Sequence, residues 1–227
     1  MATSPTQLTL RELRKRGVQD MTANILPISD LHFRIGNRHE AEQMVLDFHY
    51  SKRVPSNVVM VGSLHLDGGL FGGDGKMVAA AFFSIPPTRW KETTIELSRL
   101  VRAEEKVPLS HLISKCVKEL RKKNIDLLVS FADKTQGHEG YVYRASNWNY
   151  HGCREKRNDG LIINGSFISG RTCNHIYGTR SKRKLESILT GSSVEEHYDE
   201  GKHLYWLAIK KTGELKAKRL GLEKNGY

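Results

Sequence analysis

The stretch Ile125-Asp126-Leu127-Leu128-Val129-Ser130-Phe131-Ala132, closing on Asp133, constrains this chain more than any other. It is a near-continuous apolar run of strand length, and a strand of that kind must be covered on both faces. Just before it, Leu109, Leu112, Ile113, Cys116, Val117 and Leu120 hold a 3.6-residue period through Leu109–Lys123. That predicts an amphipathic helix, and its last turn, Arg121-Lys122-Lys123, puts cations at the favourable end. A buried strand fed by an amphipathic helix needs a sheet with helical layers. The fold class is therefore α/β or α+β, one mixed central sheet flanked by helices.

The other patterns agree. Ala41, Met44, Val45 and Phe48 make one apolar stripe over about His39–Phe48, opened by the capping-box-like pair Asn37 and Glu40. Pro55 prevents the helix from continuing. Strands are predicted at Val58–Leu66, Met77–Ile85, Thr93–Val101 and His203–Lys210, with a short helix over about Gly140–Asn147. Asp67–Gly75 is glycine-dense and suits a hairpin connection; no helix with Lys-Ser/Thr follows it, so it is not a phosphate-cradling loop. Residues 1–24 look like a basic lead-in, residues 25–227 like one domain, and residues 151–200 like a polar, irregular insertion in it. There is no internal repeat.

Charge narrows the function. The 227 residues hold 36 Lys+Arg against 25 Asp+Glu, a formal +11, which points to a polyanionic partner, nucleic acid first. No apolar run reaches the roughly 18 residues of a membrane span, and the N-terminus has no signal-peptide core. Three scattered cysteines, Cys116, Cys153 and Cys173, make no disulfide framework and suit a reducing cytoplasm.

Several residues could carry chemistry. Asp133 sits where the buried strand emerges, a usual place for a ligand, although a turn or cap Asp reads equally well there. His49 and Tyr50 end the first helix and can exchange protons or stack on a base, or simply rim the core. Arg99 shares a strand face with Leu97, so its guanidinium needs a partner from elsewhere, with Asp133 or Glu92 as the structural choice. Arg171, Arg180, Lys182, Arg183 and Lys184 lie in a run without any acidic residue, interleaved with His175 and Tyr177. This is the best nucleic-acid patch, unless it is a solvated face. His151, Cys153, Cys173 and His175 could converge only if both pairs lay on strands, and their spacing matches no standard zinc signature, so no metal ligands are assigned.

Three blocks in order, Glu96-Leu97-Ser98-Arg99-Leu100, Leu128–Gly137 and Gly140–Trp148, with Phe48-His49-Tyr50-Ser51 ahead of them, carry a resemblance over about residues 39–150. They resemble the GNAT acyltransferase architecture and, within it, the phage Mom DNA-modification family. The resemblance implies transfer of a carbamoylmethyl group to the exocyclic amine of adenine in double-stranded DNA, which shields phage DNA from restriction in the host cytoplasm. It implies Asp133, Tyr143, Arg99, His49 and Tyr50 as catalytic residues, with Tyr143 in the slot of the tyrosine that protonates a leaving thiolate. It further implies Ser51, Ser98, Ser130, Lys134, Gln136 and Trp148 at the substrate, and Lys52 and Arg53 on DNA beside the Arg171–Lys184 run. Tyr50 or Trp148 would stack on a flipped base.

The implied donor is acetyl-CoA or a related acyl carrier, with a redox metal such as iron as a further cofactor. One segment departs from that pattern. Where such folds carry a glycine-rich pyrophosphate loop, this chain has Ala103-Glu104-Glu105-Lys106-Val107-Pro108. Two other functions fit parts of the sequence: an N-acetyltransferase for a small-molecule or protein amine, and a non-catalytic nucleic-acid-binding module. The first leaves the +11 charge without a role and the second leaves the Asp133–Tyr143 block without one.

Overall fold

The computed structural model describes residues 25–66, 75–86, 90 and 92–226. The basic lead-in and nearly all of the glycine-dense connection lie outside them. The chain divides into two units, Met1–Phe82 with Arg99–Cys116, and Phe83–Ser98 with Val117–Tyr227.

In the first unit, β1 (Leu31–Ile35) runs antiparallel to β2 (Val58–Leu66), with Leu31 opposite Leu66 and Ile35 opposite Gly62. Helix α1 (Arg38–Phe48) joins them, and its Asn37 cap accepts from the Glu40 amide as the sequence pattern predicts. The expected stripe is buried at Ala41, Met44 and Val45, but Phe48 is exposed because the helix stops there and His49 is already extended. Those three side chains pack with Val61, Met77, Ala80, Phe82 and Val101. Met77 and its neighbours come from β3 (Met77–Ser84), every residue of which is buried. Small alanines let the helix lie close to the strand. Gly62 is required for the same reason, since a Cβ there would sit 2.3 Å from Cys116 Sγ.

In the second unit, the N-terminal part of β4 (Thr94–Arg102) pairs in parallel with β5 (Leu127–Asp133), Thr94 opposite Leu127. Helix α2 (Leu109–Leu120) lies between them in sequence. A parallel pair needs such a crossover, which is what the period through Leu109–Leu120 announced. Strand β10, Lys202–Ala208, lies between β5 and β6 (Asn149–Cys153), antiparallel to both. The hydrogen-bonded order is β1-β2-β3-β4-β5-β10-β6. Short helix α3 (Tyr141–Ala145) follows β5, and α6 (Lys211–Arg219) follows β10. Trp90, Leu127, Val129, Leu204, Trp206, Ala217 and Leu222 form the core on that side. Helix α6 has no sequence stripe to announce it: only Gly213 and Ala217 are buried, and a Cβ on Gly213 would lie 2.1 Å from the Asp126 carbonyl.

The segment expected to be irregular is instead a folded module. Strands β7 (Asn158–Ile163) and β8 (Ser166–Ser169) form a hairpin, and β9 (Val194–Tyr198) pairs on the other edge of β7. Helices α4 (Gly170–Tyr177) and α5 (Lys182–Ile188) cover the sheet. Leu161, Ile163, Cys173, Leu185 and Val194 make a separate core. Burying an aliphatic side chain completely is worth about 1.5–3 kcal/mol, so this cluster suffices to order a stretch that is polar on average. No helix among the described residues is long and apolar enough to cross a membrane.

Candidate active site

Asp133 ends β5, and both of its oxygens are engaged. Oδ1 accepts from the Thr135 amide at 3.1 Å, capping a 3-10 turn at Lys134–Gln136, and Oδ2 lies 3.1 Å from Lys202 Nζ. Asp133 is thus the cap of this turn as well as the partner of a lysine. Its ion-pair partner is Lys202 on the adjacent strand, which no local signal singled out. Lys134 and Gln136 are exposed on the turn.

Behind this strand end, Ser130 Oγ is 2.7 Å from the Leu97 carbonyl oxygen and 2.8 Å from the Tyr143 hydroxyl. A hydroxyl has one proton and a carbonyl can only accept. With the Ser130 proton on Leu97, the Tyr143 proton must serve the other contact. Tyr143 is 7% exposed and stacks on Tyr205 at 4.9 Å between centroids, and the Trp148 ring is tilted against it at 5.3 Å. Trp148 is itself buried, packed as core rather than presented to a base. Ser98 Oγ is 2.8 Å from Ser84 Oγ.

The stack continues to residues the sequence reading passed over. Tyr150 faces Tyr205 across β6 and β10, and its hydroxyl is 2.9 Å from His203 Nδ1. Burial, reinforced by the cations Lys134 and Arg144, holds His203 below the ordinary histidine range against the opposing pull of Glu139. Burial, with Cys153 adding to it and Arg144 opposing, pushes the Tyr150 hydroxyl up. Both shifts favour a neutral pair, with the phenol donating to the imidazole. The alternation along His203–Lys210 put His203 and Tyr205 on one face, but their partner Tyr150 lies 53 residues from His203 in sequence. Only the register of the strands joins them.

In the first unit, His49 stacks on Tyr50 with ring centroids 4.4 Å apart, and His49 Nδ1 accepts from the Ser51 amide at 3.1 Å. Ser51 Oγ is 2.9 Å from the same nitrogen. Tyr50 is 47% exposed. Arg99 Nε donates to the Arg53 carbonyl at 3.0 Å, a main-chain partner that the sequence did not suggest. Lys52 and Arg53 are exposed, with Lys52 donating from Nζ to the Asp47 carbonyl.

In the segment Ala103–Pro108 the Arg102 guanidinium holds the carbonyls of Glu105 and Val107, while Glu104 and Glu105 are exposed. Exposed carboxylates repel a pyrophosphate, and the segment does not fit one. Among the described residues no three His, Cys, Asp or Glu side chains group to hold a metal ion, so the residues supply no ligand set for iron. Cys173 and His175 lie on helix α4, where i and i+2 diverge, so Cys173 enters the core while His175 faces outward.

The basic run is placed on α4, α5 and the turn between them. Arg171, Arg180, Arg183 and Lys184 are exposed, and Lys182 lies 3.8 Å from Glu186 in an i,i+4 pair. The stem of this module is tied to the Asp133 turn. The Glu200 amide donates to Thr135 Oγ1 at 3.0 Å, and the Lys134 amide to the Gly201 carbonyl at 3.2 Å. Asp199, 2% exposed, accepts from Arg154 through both oxygens, from the Arg157 amide and from the Gly201 amide.

Among solved structures, the chain is similar to a spermidine N-acetyltransferase from Vibrio cholerae, at 8% identity over 81% of this chain and 96% of that one, TM-score 0.48. It is also similar to a Bacillus subtilis acetyltransferase in complex with CoA, at 10% identity over 78% and 98%, TM-score 0.45. An N-acetyltransferase from Staphylococcus aureus matches at 12% identity over 79% and 97%, TM-score 0.45. No curated protein sequence matches the chain. The sequence model of the Mom protein family matches residues 30–227, so the chain belongs to the Mom protein family.

Proposed function

We propose that the chain is a DNA-modifying transferase that places a carbamoylmethyl group on the exocyclic amine of adenine. The observation that carries this beyond family membership is the origin of the basic module: its stem is hydrogen-bonded to the turn that Asp133 caps. A cationic surface and a strand-end carboxylate in one unit suit a polyanionic substrate bound beside its reacting group. The lone pair of the adenine amine is delocalised into the ring, so the amine needs close positioning and a proton acceptor. Asp133 orients the amine or takes its proton, and Tyr143 is the acid. His49, Tyr50 and Arg99, in the first unit, are the other residues that the resemblance implies as catalytic. Arg180, Lys182, Arg183 and Lys184 hold phosphates. An acyl carrier is the donor class implied by resemblance, although the exposed Glu104 and Glu105 of Ala103–Pro108 do not suit its pyrophosphate. Simple acyl transfer would also leave an amide rather than a carbamoylmethyl group.

Nucleoside mass spectrometry of DNA from cells expressing the chain tests this. Wild type is expected to yield the modified adenine. Tyr143→Phe and Asp133→Asn, which keeps the acceptor for the Thr135 amide, are expected to lose it. Unmodified adenine with wild type would refute the proposal and leave an N-acetyltransferase for a small-molecule or protein amine. Wild-type levels in both variants would refute the residue roles.

A further inference from the structure

Helix α4 carries a second pattern beneath its charge. Cys173 and Tyr177 turn toward the core of the small sheet. Arg171, Asn174 and His175 stand at i, i+3 and i+4 on the opposite side, all exposed. Among the described residues none of the three has a side-chain hydrogen bond or an ion pair. From Gly160 to Leu185 the sequence has no Asp or Glu, so nothing in the module's helical layer neutralises them up to Glu186 on α5. The linker Gly178–Ser181 is four residues long, and the stem of Arg180 crosses the start of α4, with its Cδ 3.6 Å from the place of a Cβ on Gly170. Lys182, Arg183 and Lys184 follow in the first turn of α5.

Two short helices joined by a tight turn, one with a stripe of planar hydrogen-bonding side chains and the other with cations, divide their labour in a recognisable way. Phosphate contacts position a protein on DNA, and base-edge contacts specify sequence. Arg and Asn are the side chains that bond bidentately to guanine and adenine in the major groove, and an α-helix is what that groove admits. Solvated surface helices of this size instead alternate charge signs, and α4 carries no acid at all.

We infer that the module is a sequence-reading device: α4 enters the major groove of duplex DNA and reads base edges with Arg171, Asn174 and His175, while Arg180, Arg183 and Lys184 hold the flanking phosphates. This rests on the proposed action on DNA and deepens it, since it assigns target selection to residues remote in sequence from Asp133 and Tyr143.

The test uses the full chain and a pool of random-sequence duplexes. The bound fraction is sequenced at fixed salt, and affinity for the pool is measured over a salt series. Wild type is expected to enrich a short base pattern. The variant Arg171→Ala/Asn174→Ala/His175→Ala is expected to lose that enrichment by about tenfold or more at the positions read, and to keep pool affinity apart from the loss of one cation. Arg183→Ala/Lys184→Ala is expected to keep the pattern while pool affinity falls and the slope of log affinity against log salt flattens by about 2. All five side chains are exposed, and unchanged thermal melting of each variant establishes that the fold is intact. Retention of the base pattern by the triple variant would overturn the inference, as would pool binding by wild type without enrichment, or preference for RNA or an acidic protein. Sequence-selective binding without adenine modification would leave the inference standing and remove the catalytic proposal.

Discussion

Asp199 is 2% exposed and accepts from both terminal nitrogens of Arg154, with Nη1 at 3.0 Å, and from the amides of Arg157 at 3.2 Å and Gly201 at 3.1 Å. Replacing Asp199 with Ala leaves four donors without their acceptor. Breaking a buried pair by removing one partner costs about 3–5 kcal/mol. Arg154 is 27% exposed and recovers part of its hydration from solvent, so the lower end, about 3 kcal/mol, is expected. The pair closes the stem of the 158–198 module, so the loss falls on local opening before global unfolding. Native-state hydrogen exchange reads this directly: the amides of Arg157 and Gly201 are expected to exchange about 150-fold faster, which is 3 kcal/mol at about 1.4 kcal/mol per tenfold. The pH dependence has a definite sign. Burial by itself raises the Asp199 carboxyl, but the bonds from Arg154 and the two amides outweigh it and leave it below the ordinary value. A lowered folded pKa contributes stability that is complete above the ordinary carboxylate range and is lost as pH falls through the folded value. Wild type should therefore loosen at the stem below about pH 4, and Asp199→Ala should lack that component. Exchange at Arg157 and Gly201 within about twofold of wild type in the variant would show that the buried pair does not hold the stem, and the reasoning would fail.

Gly62→Ala places a Cβ 2.3 Å from Cys116 Sγ and 3.1 Å from the Phe33 ring, so a loss of about 1–3 kcal/mol by overpacking is expected in denaturant melts. Adding Cys116→Ala vacates the space and should recover part of that loss; a double variant no more stable than Gly62→Ala would contradict the packing account. His203 is held below the ordinary histidine range first by burial and then by Lys134 and Arg144, so its unfolded form takes up a proton before the folded form does. Wild-type stability should fall as pH drops below about 6.5, and His203→Gln should fall less steeply over pH 7 to 5; equal slopes in thermal melts would refute it.

Much of the fold was legible because its signals are local. Helix α2 and strand β5 each show their burial within a dozen residues, and Asn37 with Glu40 marks the start of α1 by a contact three residues long. The small module was less legible, although it carried one readable mark. Asn164-Gly165 takes positive φ at both positions, 49° and 78°, as a two-residue hairpin turn requires, and Asn-Gly between apolar runs is a strong sign of one. Average polarity over residues 151–200 obscured it, because a core of five buried side chains spread over 34 residues from Leu161 to Val194 makes no periodic stripe.

The mixed sheet, the helix that allows its parallel pair, the excess of cations and the residues of the Mom-like blocks are written in the sequence. These follow from period, spacing and charge, which survive without knowledge of any long-range contact. Tertiary structure alone decided that Asp133 pairs with Lys202, that Tyr143 is stacked on Tyr205 and bonded to Ser130, and that Tyr150 meets His203. It also decided which side of α4 faces solvent, because the core that claims Cys173 and Tyr177 is assembled from strands on either side of that helix in sequence. Pairing between distant strands is set by register, and one residue of slip would send every side chain of β10 to the other face.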